Sequence, residues 1–213
     1  MTNYADEEAR SSHLSTLQKH LDKEVYKYIE CGDPKILDLL VDWFCLLENV
    51  EEYKFGSWVG QGDFQESIEV PAKSVYKDFS FLISPIYKAL EGYLFLLATS
   101  LGLTRPGELP EMVGQLYDEE KIVQKKEEIL TELGTKLDAN DKEVQQWLGE
   151  LRRILRLYRH SPAHYSSAKE LVFTTYEKGE NYGRTILTVI NEATRVFQKK
   201  KYIKQSFEEE IPF

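Results

Sequence analysis

Residues 142–159 read KEVQQWLGELRRILRLYR. Their apolar members are Val144, Trp147, Leu148, Leu151, Ile154, Leu155 and Tyr158, recurring at spacings of three and four. That period lays them along one stripe of an α-helix, and a stripe this wide buries itself against other helices. Asn140-Asp141 supplies a cap in front of it. Arg152, Arg156 and Arg159 follow i, i+4, i+7 along one flank. Taken alone they read as a solvated face whose cations sit near the helix C-terminus, where the macrodipole favours them.

Moving upstream, the same helical period returns. Leu14, Leu17, Leu21, Val25 and Ile29 predict a helix over 11–31. Asp33-Pro34 pairs a favoured cap with a favoured first position, so 34–52 (PKILDLLVDWFCLLENVEE) should be helical. Residues 53–72 change character. Three glycines and a proline break any helix there, while alternation in KFGSWVG and SIEV allows a short hairpin. Residues 73–102 are strongly apolar, and Ser84-Pro85 should kink or break them. The following PIYKALEGYLFLLATSLGL reads as the central helix. Residues 103–112 read as a loop and 117–133 as a charged helix. Beyond 159, helices are expected near 167–178 and 183–202, with the glycines of EKGENYGR (177–184) marking a loop between them.

The class is therefore all-α, with about seven helices and at most a small hairpin. A soft boundary at 53–72 divides an N-terminal helical region (1–72) from a larger helical bundle (73–204) and an acidic tail (205–213). With 42% hydrophobic residues in 213, the chain can bury a sizeable core, and global disorder is not expected.

Met1 is followed by polar and acidic residues, so no secretory signal is read. The longest apolar run, YLFLLATSLGL (93–103), is too short to cross a bilayer. A cytoplasmic protein without membrane contact is expected. Cys31 and Cys45 lack a CxxC partner or a neighbouring histidine and read as reduced thiols in or near the core. His13 and His20 are seven apart on one helix, but no carboxylate spacing makes them a metal site. No metal or cofactor is expected.

A net charge of −9 argues against non-specific binding to nucleic acid. Screening confines surface fields to about 10 Å, so a local basic site remains open. The stretch RLYRHSPAHY (156–165) offers one. Ser161-Pro162 reads as the start of a new turn, or Ser167-Ala-Lys-Glu170 is the capping box of the next helix with His164 in the connection. In both cases the chain turns between Arg159 and His164. Such a turn can gather a guanidinium, an imidazole and helix-terminal amides around one anion.

Arginine with histidine suits RNA cleavage without metal. The 2′-hydroxyl attacks its own phosphate, a guanidinium meets the charge on the non-bridging oxygens, and imidazole moves the proton near neutral pH.

Arg159-His160-Ser161-Pro162-Ala163-His164, after a long amphipathic helix, resembles the Arg-x4–6-His motif of the HEPN superfamily. The stretch from Asp78 through ALEG (89–92) to Leu94 resembles the RNase LS type of HEPN toxin, in which an Asp and a Glu so spaced accompany the motif. The likeness covers roughly 73–200; the first 70 residues match nothing nameable. It implies a HEPN-like helical bundle and a metal-independent endoribonuclease. Catalytic roles would fall to Arg159, His164, Glu91 and Asp78, and substrate contacts to His160, Arg156, Arg152 and Lys88. It also implies RNA as partner, a homodimer with a composite active site, and a toxin–antitoxin or antiviral-defence role with an antitoxin or other inhibitor protein. Two other readings stand beside it. One is a HEPN-like protein that binds RNA, a nucleotide or a protein without cutting. The other is a helical scaffold whose arginine stripe meets an acidic partner.

Overall fold

The computed structural model describes residues 5–59, 66–76, 78–103, 128, 130–137, 141–157 and 173–198. In chain order these form α1 (Ala5–His20), α2 (Lys23–Gly32), α3 (Lys35–Glu52), β1 (Lys54–Val59), β2 (Glu66–Pro71) and the short α4 (Ala72–Val75). A 3-10 turn (Ser80–Ile83) leads into α5 (Ser84–Ser100). Residues 130–136 are helical, and α6 (Lys142–Leu157) and α7 (Tyr176–Gln198) complete the described chain. The expected all-α class holds. The hairpin is antiparallel, pairing Lys54 with Pro71 and Val59 with Glu66.

The helix expected over 11–31 is two helices. The apolar period runs unbroken through Leu21, but Asp22 sits in an extended-type conformation and its carboxylate caps α2, accepting from the amides of Glu24 and Val25. The gap is held from α7: Asn191 Nδ2 donates to His20 O (2.8 Å) and Asn191 Oδ1 accepts from Asp22 N (2.9 Å).

α3 begins where Asp33-Pro34 predicts, with Asp33 Oδ1 accepting from Lys35 N. Pro85 falls in the first turn of α5 and so opens that helix, where a missing N–H costs nothing. The segment Ser80–Ser100 is long and apolar enough, by length and composition, to cross a membrane, as the shorter 93–103 run was not. Here it lies in the core, packed by α3 and α7. Its buried face runs Ile86, Tyr87, Ala89, Leu90, Tyr93, Leu94, Leu97 and Ala98. Buried residues from Leu17 to Val196 form one cluster, so the segments before and after the hairpin share a core.

The loop expected at 177–184 is corrected by α7, which runs through the EKGENYGR glycines, whereas residues 167–172 and 199–202 of the expected helices lie outside the described residues. Gly179 and Gly183 are there because neighbours come close, not because the chain turns. A β-carbon on Gly179 would meet Leu82 and the Phe79 carbonyl at 3.1 and 3.2 Å, and one on Gly183 would meet the Trp43 indole at 2.4 Å. The charged helix expected over 117–133 falls mostly outside the described residues.

Neither Cys31 nor Cys45 forms a disulfide. Cys45 is half-buried, whereas Cys31, expected near the core, is exposed. His13 is buried with Nε2 3.5 Å from Glu48, and His20 stacks on Phe44 at 5.3 Å, so both histidines serve the α1–α3 contact. Among the described residues no cluster of histidine, cysteine and acid is arranged for a metal.

Candidate functional site

α6 behaves as its stripe predicts up to Ile154, while the Leu155 side chain and Tyr158 lie outside the described residues. Val144, Trp147, Leu148, Leu151 and Ile154 are buried, and Trp147 Nε1 donates to Val189 O on α7 at 2.9 Å. That bond fixes the helix about its axis and leaves its opposite flank to solvent. On that flank Arg152 is half-buried. Arg153, exposed, is committed to Glu150: its guanidinium donates to both carboxylate oxygens. The hydrogen bond from Arg153 holds the Glu150 carboxyl below its ordinary pKa, partly opposed by burial. The backbone of α6, described as far as Leu157, carries Arg156. Arg159, His160 and His164 lie outside the described residues, as does the side chain of Arg156.

The upstream acidic residues occupy different settings. Glu91 is half-buried and Lys88 exposed, one turn apart on α5. Asp78 is exposed at the entry to the 3-10 turn, and its Oδ1 accepts from both Ser80 N (2.8 Å) and Ser80 Oγ. Asp-x-Ser is a sequence pattern for such a turn. Ser80, which the sequence did not single out, is 2% exposed and passes the connection on. Its Oγ accepts from Phe173 N (3.4 Å), while Phe79 N donates to Phe173 O (2.8 Å). Asp78 therefore stands at a junction where the chain, nine residues beyond His164, is pinned to the start of the α5 region.

α5 and α6 both pack on α7, so the helices that carry Glu91 and Arg152 flank a common support. The junction and α7 also shape a second surface. Phe173 is buried against the ring of Tyr182, centroids 5.3 Å apart. The Tyr182 hydroxyl is buried without a hydrogen-bond partner among the described residues. Burial pushes its pKa up to about 12, with Arg153 opposing and Glu150 adding to the rise. The sequence reading missed this surface because it placed 177–184 in a loop.

Comparison of the chain with protein-family models, with curated proteins and with solved structures finds no significant match.

Proposed function

We propose that the protein is a metal-independent endoribonuclease of the HEPN type, acting as a homodimer in a toxin–antitoxin or antiviral-defence setting. His164 takes the 2′ proton as the 2′ oxygen bonds to phosphorus, and the bond from phosphorus to the 5′ oxygen breaks, that oxygen taking a proton from water. Arg159 meets the charge on the non-bridging oxygens with its fork of donors. Glu91 orients this pair, and Asp78 positions the segment that follows it. One observation supports the reading beyond the motif itself. Asp78, from the upstream half of the resemblance, and Phe173, shortly after the Arg-x4-His stretch, meet at one hydrogen-bonded junction.

A second reading, a HEPN-like protein that binds RNA or a partner without cutting, draws on the same place. The Asp78 carboxylate is engaged in a turn and so has a structural role already.

The test is cleavage of single-stranded RNA in EDTA by the purified full chain. The leading reading expects products ending in 2′,3′-cyclic phosphate and loss of cleavage in both Arg159→Ala and His164→Ala with unchanged helical content. Cleavage that survives both substitutions removes these residues from the mechanism. RNA retention without cleavage by the wild type selects the second reading.

A further inference from the structure

An open cavity of about 430 Å³ lies along α7, lined by Phe173, Lys178, Asn181, Tyr182 and Thr185. Its size falls in the range of roughly 300–1,000 Å³ usual for small-molecule sites. Four of the five residues stand at i, i+3, i+4 and i+7 and so share one face of the helix. The rings of Phe173 and Tyr182 meet at 47° and make an apolar corner. That corner is rigid, because Phe173 is buried and its N–H and C=O are both tied to the 79–80 turn.

The rim is polar in an ordered way. Asn181 is exposed and carries a side-chain amide, which offers an acceptor and donors together. Among the described residues Lys178, one turn back, makes a 3.3 Å contact with Thr174 Oγ1, easily exchanged for a stronger acceptor. Two nearby acids are matched, Glu180 accepting from Arg184 at 2.8 Å and Glu150 from Arg153 at 2.9 Å, while Glu177 beside Lys178 is exposed. An aromatic corner takes the face of a flat ring, an amide reads its edge, and an ammonium takes an anion attached to it. That combination is the chemistry of a nucleotide unit.

We propose that this cavity is a nucleobase subsite for single-stranded RNA, in which the base packs in the Phe173–Tyr182 corner, Asn181 reads its edge and Lys178 meets the adjoining phosphate. The subsite rests on the ribonuclease reading for its role in choosing where the strand is held, but its binding is measurable without cleavage.

The probe is a set of four 2′-O-methyl RNA homopolymers, one per base, which lack the free 2′-hydroxyl and are not cut. Fluorescence anisotropy on the full chain should show unequal affinities among them. Asn181→Ala should level that preference. Tyr182→Leu should weaken the best binder roughly tenfold, the scale of one lost base stack. Lys178→Gln should weaken all four alike and flatten the salt dependence. Asn181 and Lys178 are exposed, so those variants leave the core intact even where Tyr182→Leu perturbs it. Binding of none of the four by wild type, or unchanged affinity and preference in Asn181→Ala and Lys178→Gln, overturns the subsite. Should cleavage dependent on Arg159 persist alongside that result, the ribonuclease reading stands without it. Base preference that depends on Asn181 in a protein that never cuts keeps the subsite and removes the ribonuclease.

Discussion

Asn191 on α7 closes the break between α1 and α2, accepting from Asp22 N across 169 residues of sequence while donating to His20 O. A helix end leaves carbonyls unpaired and a helix start leaves amides unpaired. One side-chain amide, with a donor and an acceptor on adjacent atoms, answers one of each. Asn191→Asp keeps the size but turns an oxygen toward the His20 carbonyl and adds a carboxylate near that of Asp22. It should cost about 1–2 kcal/mol, read as a lower urea midpoint with unchanged slope. Asn191→Leu should cost at least as much. Wild-type stability in Asn191→Asp would show that the break holds without this residue.

Gly183 and Gly149 are both helical and should respond to alanine with opposite signs. A β-carbon at 183 would stand 2.4 Å from Cζ2 and 2.9 Å from Nε1 of Trp43, a ring with no exposed surface. The ring cannot retreat, so overpacking of about 1–3 kcal/mol outweighs the roughly 1 kcal/mol of helix propensity gained. At Gly149 a β-carbon meets nothing within 4 Å. Gly149→Ala should therefore stabilise by about 0.5–1 kcal/mol. Two shifts of the same sign in chemical unfolding would contradict this account of α7 against α3.

These glycines show where the sequence stops being readable. Val144, Trp147 and Leu151 announce α6 through their spacing, and Asp33-Pro34 and Ser84-Pro85 mark helix starts, because each signal is local. Gly179 and Gly183 look locally like a loop, and only the approach of Phe79, Leu82 and Trp43 makes glycine the residue that fits a helix there. The α1–α2 break is equally hidden, since Leu17, Leu21 and Val25 keep the helical period across it and the compensating amide comes from α7. At the candidate site, Asp78 was legible only through its spacing to Glu91 in the resemblance. Ser80 and Phe173, which give it its place, were not, because their link spans 93 residues.

Tyr28, Tyr176 and Tyr182 each have a pKa pushed up to about 12, chiefly by burial. A phenol is neutral when protonated, so burial favours the protonated form in the folded state. Between the unfolded value near 10 and about 12, the unfolded chain gives up protons that the folded chain keeps. Stability is thus fully present below about pH 10 and falls as pH rises through that window. Urea midpoints measured across it should drop steadily. Tyr28→Phe removes one contributor, together with the 2.6 Å hydrogen bond to Ser100 Oγ, and should shallow the drop. A midpoint that stays level from about pH 10 to 12 would contradict the burial of these hydroxyls.

Asp78 separates a positioning role from a catalytic one. Its Oδ1 accepts from Ser80 N and Oγ, and Ser80 in turn accepts from Phe173 N. Asp78→Asn retains that acceptor and should leave stability within about 0.5 kcal/mol of wild type. Asp78→Ala strands two donors on a nearly buried serine and should cost about 1–2 kcal/mol. If the residue works by holding the junction, RNA cleavage should survive in Asn and fall in Ala, with kcat and stability moving together. Ser80→Ala should then resemble Asp78→Ala. If instead the carboxylate charge takes part in chemistry, Asp78→Asn should lose kcat with its fold and urea midpoint intact. The observed engagement of Oδ1 favours the first outcome. A stable but inactive Asp78→Asn protein would move the residue from the scaffold into the reaction.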